Sequence, residues 1–285
     1  MGPKLILTRV AAVLAIGLGT GLAAAQDMVP VTAVGGQVIA GYVFRPAGTG
    51  PFPAVVGMHG CSGLTRDDGM RLSFRVWAEL LAANGYVVLM LDSFRPRGFL
   101  GECDPRNARI SRDLVRPRDA YGGLLWLQGR SWVKPDRIAL IGWSHGGGSA
   151  LYALGGGSPV DAADLPRGGF AAAVLFYPSP CNQASHGSRY RPAVPLLVLL
   201  GANDMSVPSS PCESLVDRIR ANGGRAEAVT YQQARHGFDM TAAEPAEGED
   251  RPARGTAPRA AIHQPSRADA QARVLAFLAR TLADR

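Results

Sequence analysis

The stretch Arg137-Ile138-Ala139-Leu140-Ile141-Gly142-Trp143-Ser144-His145-Gly146-Gly147-Gly148 decides the fold. An apolar run reads as a strand up to Ile141, and a serine follows with a glycine two residues to either side. This is the pattern of a strand-to-helix turn sharp enough to push a serine hydroxyl out at the end of a sheet. Such a turn strains the backbone at the serine and crowds its flanks, so both flanking positions are glycine. Gly-x-Ser-x-Gly alone recurs by chance. Here the strand before it and a helical start at Ser149-Ala150-Leu151 after it supply the context.

Two partners follow downstream. Pro195 to Leu200 is a short continuous apolar run, the signature of a strand buried on both faces of a parallel sheet, and Asp204 lies on the loop leaving it. Ala226 to Gln232 reads as the next strand, and His236-Gly237-Phe238 lies on the loop after that. Ser, Asp and His at successive strand exits, in that order, define the α/β-hydrolase arrangement: a mostly parallel central sheet with helices on both faces. The chemistry requires all three. Ser144 is a weak nucleophile until His236 takes its proton, and Asp204 fixes the imidazole tautomer and stabilises the imidazolium. Asp92, at the end of the apolar run 86–91, is the competing acid, but it precedes the serine. A fourth requirement is an oxyanion site. Phe52 to Met58 reads as a strand followed by His59-Gly60-Cys61-Ser62-Gly63, so the expected main-chain donors are Cys61 and His145.

His59-Gly60-Cys61-Ser62-Gly63-Leu64, the segments 77–86 and 91–98, Gly142 to Gly147 and His236-Gly237-Phe238 together resemble the dienelactone hydrolase family. The resemblance covers most of residues 30–240 and returns in the last helix. It implies a single-domain α/β-hydrolase that cleaves esters or lactones through Ser144, Asp204 and His236. Many members carry a cysteine nucleophile; this chain has serine. Dienelactone-cleaving members hold the substrate carboxylate with two arginines. Arg95 or Arg97 matches the first, whereas Met240 stands at the second, and Gly60 stands where those members carry an acid. A general esterase is therefore the expectation, with Arg95, Arg97 and Trp143 as candidate substrate contacts. Acyl transfer to an alcohol by the same three residues, and a non-catalytic binding role on this fold, are the alternatives.

The 285 residues are 47% apolar, enough for one sizeable core, and a single domain over 26–285 is expected. Residues 1–25 read as a secretory signal: Lys4 and Arg9, then the apolar run 11–22, then Ala23-Ala24-Ala25. That run is shorter than the ~20 residues a spanning helix needs, so no membrane association is expected after its removal. In a secreted or periplasmic chain four cysteines favour two disulfides. Cys61–Cys103 and Cys181–Cys212 are the preferred pairs, since each joins loops at the same sheet edge. The net charge of +7 comes from scattered arginines with no aromatic-interleaved tract, so no specific nucleic-acid partner is expected. His145, His186 and His263 lack metal-ligand spacing, and neither metal nor cofactor is expected. A monomer acting on a small ester or lactone is the resulting picture. A hairpin over 29–44, helices over 70–84, 111–128, 211–221 and 268–282, and a mobile excursion over 241–265 complete it. Loops 93–110, 155–169 and 178–192 are the expected pocket walls.

Overall fold

A computed structural model describes residues 26–67, 69–104, 106, 108–241 and 263–283. The expected signal segment, and the 241–265 excursion beyond Thr241 and before His263, lie outside the described residues.

Eight strands form one sheet: β1 (Asp27–Thr32), β2 (Val38–Phe44), β3 (Phe52–Met58), β6 (Val87–Asp92), β7 (Val133–Trp143), β8 (Ala172–Phe176), β9 (Leu196–Gly201) and β10 (Ala226–Tyr231). Their order is β1-β2-β6-β3-β7-β8-β9-β10. β1 and β2 form the expected antiparallel hairpin, β2 runs antiparallel to β6, and the remaining pairings are parallel. A small second ribbon, β4 (Thr65–Arg66) with β5 (Gly69–Met70), sits on the loop after β3.

The helices are α1 (Leu72–Ala83), α2 (Val115–Gln128), α3 (His145–Leu154), the single turn α4 (Gln183–His186), α5 (Ser209–Ala221) and α6 (Gln264–Thr281). The period-two alternation of the strands assigns them to faces. Leu89 and Leu91 of β6, Leu140 of β7 and Val198 and Leu200 of β9 pack with α2, α3 and α5. Met90, Ile141, Leu197 and Leu199 pack with α1 and α6. Both faces are covered, which is why the central strands read as unbroken apolar runs.

Helix starts differ from expectation where proline sits early. α5 begins two residues before Pro211 and α6 begins just before Pro265, because proline needs no amide partner in a first turn. His263 caps α6, its side chain accepting from the Ser266 amide. α2 begins later than expected, at Val115.

Both preferred disulfides are present, Cys61–Cys103 and Cys181–Cys212. Among the described residues no helix is long and apolar enough to cross a membrane. Peptide mapping without reductant should recover the two cross-linked pairs, and reduction should lower unfolding free energy in urea by roughly 2–4 kcal/mol per bridge. Four alkylatable thiols in the native protein would contradict this.

Candidate active site

Ser144 occupies the corner between β7 and α3 at φ 49° and ψ −111°, a conformation side-chain-bearing residues rarely adopt. Its amide donates to the Phe176 carbonyl (2.9 Å) and its carbonyl accepts from the Gly148 amide (2.9 Å), so both sides of the corner are tied. The flanking glycines are sterically required. A Cβ on Gly142 would lie 2.6 Å from the Gly146 carbonyl oxygen, and one on Gly146 would overlap the Met58 carbonyl at the end of β3. The start of α3 is thus pressed against the exit of β3.

Asp204 and His236 reach the serine from the exits of β9 and β10. Their loops are joined by main-chain bonds from Ala202 to Tyr231 and from Asn203 to Ala234, and Gly201 leaves room for the Ala234 carbonyl. Asp204 Oδ1 accepts the amides of Ser206 and Val207, both at 2.8 Å, which aims Oδ2 at His236 Nδ1, 2.7 Å away. His236 Nε2 lies 3.0 Å from Ser144 Oγ. A carboxylate can only accept, so His236 carries its proton on Nδ1 and offers Nε2 to the serine hydroxyl. The three residues form one hydrogen-bonded chain. Asp92 stands elsewhere: Oδ1 accepts the amides of Phe94 and Arg95, and Oδ2 accepts Thr65 Oγ1.

A second buried carboxylate, unforeseen in the sequence, supports the histidine loop. Asp239 Oδ2 accepts the indole N–H groups of Trp77 and Trp143, each at 2.8 Å, and Oδ1 accepts the Tyr177 hydroxyl at 2.6 Å. The Tyr177 ring lies 4.4 Å from the His236 ring, centroid to centroid. Burial pushes the Asp239 carboxyl above its ordinary range, against the lowering effect of these three donors.

The three expected substrate contacts have partners within the protein. Trp143 is 1% exposed and commits its only donor to Asp239. Arg97 places its fork on Asp119 (2.9 and 2.8 Å), and Arg95 bonds Thr65 Oγ1 and the Arg66 carbonyl. The arginine forks hold loops; the indole braces the site from below. Parts of the expected pocket walls line clefts of their own. Leu100 to Asp104 and Arg109 border one of about 570 Å³, and residues 155–157 with 185–191 border another of about 630 Å³. Neither is lined by Ser144 or His236.

The two expected oxyanion donors sit on adjoining segments, His145 opening α3 and Cys61 following β3. The His145 ring is buried between Arg116 Nη1 (2.7 Å from Nδ1) and Glu102 Oε1 (3.1 Å from Nε2). Burial, followed by the nearby arginines and against the pull of Glu102, lowers its pKa to about 4. Among the described residues no group of three or more His, Cys, Asp or Glu side chains could hold a metal ion.

An elbow serine at the end of a central parallel strand, with an acid and a histidine at later strand exits, defines the α/β-hydrolase class. Comparison with known proteins gives the family: the dienelactone hydrolase family model matches residues 39–282, and the chain belongs to that family. A Klebsiella pneumoniae subsp. pneumoniae protein assigned to the dienelactone hydrolases superposes with a TM-score of 0.63 at 22% identity, covering 90% of this chain and 99% of that one. Thermogutta terrifontis esterase 2, phosphorylated by paraoxon, gives 0.64 at 18% identity over 91% and 96% of the two chains. Porphyromonas gingivalis dipeptidyl peptidase 4 gives 0.66 at 15% identity, over 91% of this chain and 36% of that one. These likenesses establish the fold, and family membership supports hydrolase chemistry.

Two stability measurements test this reading of the buried charges. Removing Asp239 takes the shared acceptor from two buried indole N–H groups and a phenol, so Asp239→Ala should cost about 3 kcal/mol in urea unfolding. His145 stays neutral in the fold while the unfolded chain protonates near its ordinary value. Acidification from about pH 6.5 to 4 therefore binds more protons to the unfolded state and lowers stability, by on the order of 1–3 kcal/mol. His145→Ala should flatten that slope; an unchanged slope would assign it to other groups.

Proposed function

We propose that this protein is an exported serine hydrolase that cleaves small carboxylic esters or lactones through an acyl-enzyme. The observation carrying the proposal is the unbroken chain Asp204 Oδ2, His236 Nδ1, His236 Nε2, Ser144 Oγ, at 2.7 and 3.0 Å. Ser144 Oγ attacks the acyl carbon while its proton passes to His236 Nε2, and Asp204 stabilises the imidazolium. The developing oxyanion takes hydrogen bonds from the main-chain N–H groups of Cys61 and His145. The tetrahedral intermediate expels the alcohol, which carries away the proton from Nε2. A water then gives a proton to the same nitrogen, attacks the acyl-enzyme and releases the acid, returning the proton to Ser144.

A general ester substrate fits better than a carboxylate-bearing lactone. Met240 is buried where a second arginine would stand, and Arg97 is engaged with Asp119. Export is supported by the charge and apolar pattern of residues 1–25 and by two disulfides, which persist in oxidising compartments.

Ser144→Ala should lower hydrolysis of p-nitrophenyl acetate and butyrate by about 10⁴-fold or more with an unchanged circular dichroism spectrum, and Asp204→Asn should lower kcat by roughly 10⁴. A fluorophosphonate should label Ser144 stoichiometrically. Full activity in the serine variant would move the chemistry to another group.

A further inference from the structure

We infer that three buried side chains outside the Ser–His–Asp chain, Glu102, Arg116 and His145, are positioning residues that set the spacing between the two oxyanion amides. The inference rests on the ester-hydrolase reading above.

Arg116 projects from α2 and is fully buried. One arm of its fork, Nη1, reaches His145 Nδ1 at 2.7 Å; the other, Nη2, donates to the His59 carbonyl at 2.8 Å. A single guanidinium thus grips the residue after the serine and the loop two residues before Cys61. Glu102 closes the opposite side. Its Oε1 lies 3.1 Å from His145 Nε2, its amide donates to the Cys61 carbonyl at 2.8 Å, and the next residue, Cys103, is covalently bonded to Cys61. Glu102 is itself held through Oε2, which accepts the amides of Arg109 and Ile110. The result is a closed ring: His59 to Cys61 along the chain, Cys61 to Glu102, Glu102 to His145 by a 3.1 Å polar contact outside hydrogen-bond geometry, His145 to Arg116, and Arg116 back to His59.

The protonation pattern is forced. A guanidinium only donates, so His145 Nδ1 must accept and its proton sits on Nε2, facing the carboxylate. Burying an arginine completely is costly unless it is paired, and a core needing only volume is better served by an apolar side chain. What this arginine joins is specific. The His145 amide is fixed by the elbow and by the start of α3, whereas the Cys61 amide lies on a loop outside regular secondary structure, held through Glu102, Cys103 and His59. Oxyanion donors act at about 2.7–3.1 Å from the developing charge, a tolerance of a few tenths of an ångström, so the spacing between loop and helix must be held. None of the three side chains belongs to the Ser–His–Asp chain, and His145→Ala retains the main-chain N–H.

The test uses the full-length protein after signal removal, with Glu102→Gln, His145→Ala, their double variant, Arg116→Met and Ser144→Ala. Active sites are counted by fluorophosphonate labelling, so a misfolded fraction is removed from kcat. Glu102→Gln keeps the shape but leaves either His145 or the Arg109 and Ile110 amides facing an NH₂ group. Glu102→Gln and His145→Ala should each lower kcat on p-nitrophenyl butyrate about tenfold, a fraction of what losing an oxyanion donor outright costs, with KM within about twofold. Inhibition by phenylboronic acid, whose tetrahedral adduct occupies the same site, should weaken by the same factor. The double variant should be no slower than the slower single variant, because both act through one ring. Unchanged kcat in both single variants, losses that multiply, or a rise in KM alone would overturn the inference while leaving the hydrolase reading intact. If Arg116→Met does not fold, the other pair still decides. Activity retained by Ser144→Ala would remove the hydrolase reading and this inference with it.

Discussion

The contact on which the remaining geometry depends is that of the Gly146 backbone with the Met58 carbonyl. It has room only because position 146 lacks a Cβ, and it brings the first turn of α3 against the end of β3. From it follow the corner at Ser144, the exposure of Oγ toward His236, and the adjacency of the two segments bearing Cys61 and His145. Holding a serine at φ 49° costs on the order of 1–3 kcal/mol. The cost is absorbed because β7 is a central strand, paired on both sides by β3 and β8, and because the corner's own amide and carbonyl are bonded to Phe176 and Gly148.

Much of this was legible in the sequence for a definite reason. Buried parallel strands read as unbroken apolar runs, and the loops leaving their carboxyl ends converge at one edge of the sheet. Ser144, Asp204 and His236 could therefore be brought together from strand positions alone, as could the two disulfides. The substrate contacts were less legible. Arg95 and Arg97 follow from the family resemblance and Trp143 stands beside the serine in the chain, and neither fact says which way a side chain faces. Arg97 turns to Asp119 and Trp143 turns into the core.

The supporting charges were not legible because their partners are remote. Asp239 joins Trp77 and Trp143, 162 and 96 residues away, and Arg116 joins His59 and His145, 57 and 29 residues away. A weak signal existed for Arg116. It falls on the same face of α2 as Ala120 and Leu124, both fully buried, so a helical reading places a charge where an apolar residue belongs. A guanidinium in such a place demands partners, and it finds them on the His59 and His145 segments that turn at the sheet's carboxyl edge. Asp239 gave less warning, since an acid three residues past a strand-exit histidine reads as an ordinary loop residue.

Three carboxylates near this edge illustrate how identical groups acquire different roles. Asp92, Asp204 and Asp239 are all buried, and each accepts three hydrogen bonds. Asp92 accepts from two amides and a threonine hydroxyl, and none of these three partners is an imidazole, which argues against it as the acid more directly than its place in the chain does. Asp239 accepts from two indoles and a phenol, none of which titrates near neutral pH, so it braces the aromatic floor beneath His236. Of the three, Asp204 alone spends one of its bonds on an imidazole, and the second nitrogen of that imidazole lies against the Ser144 hydroxyl. The role of each acid is set by the identity of its third donor, and the loop lengths after β6, β9 and β10 determine which donor arrives.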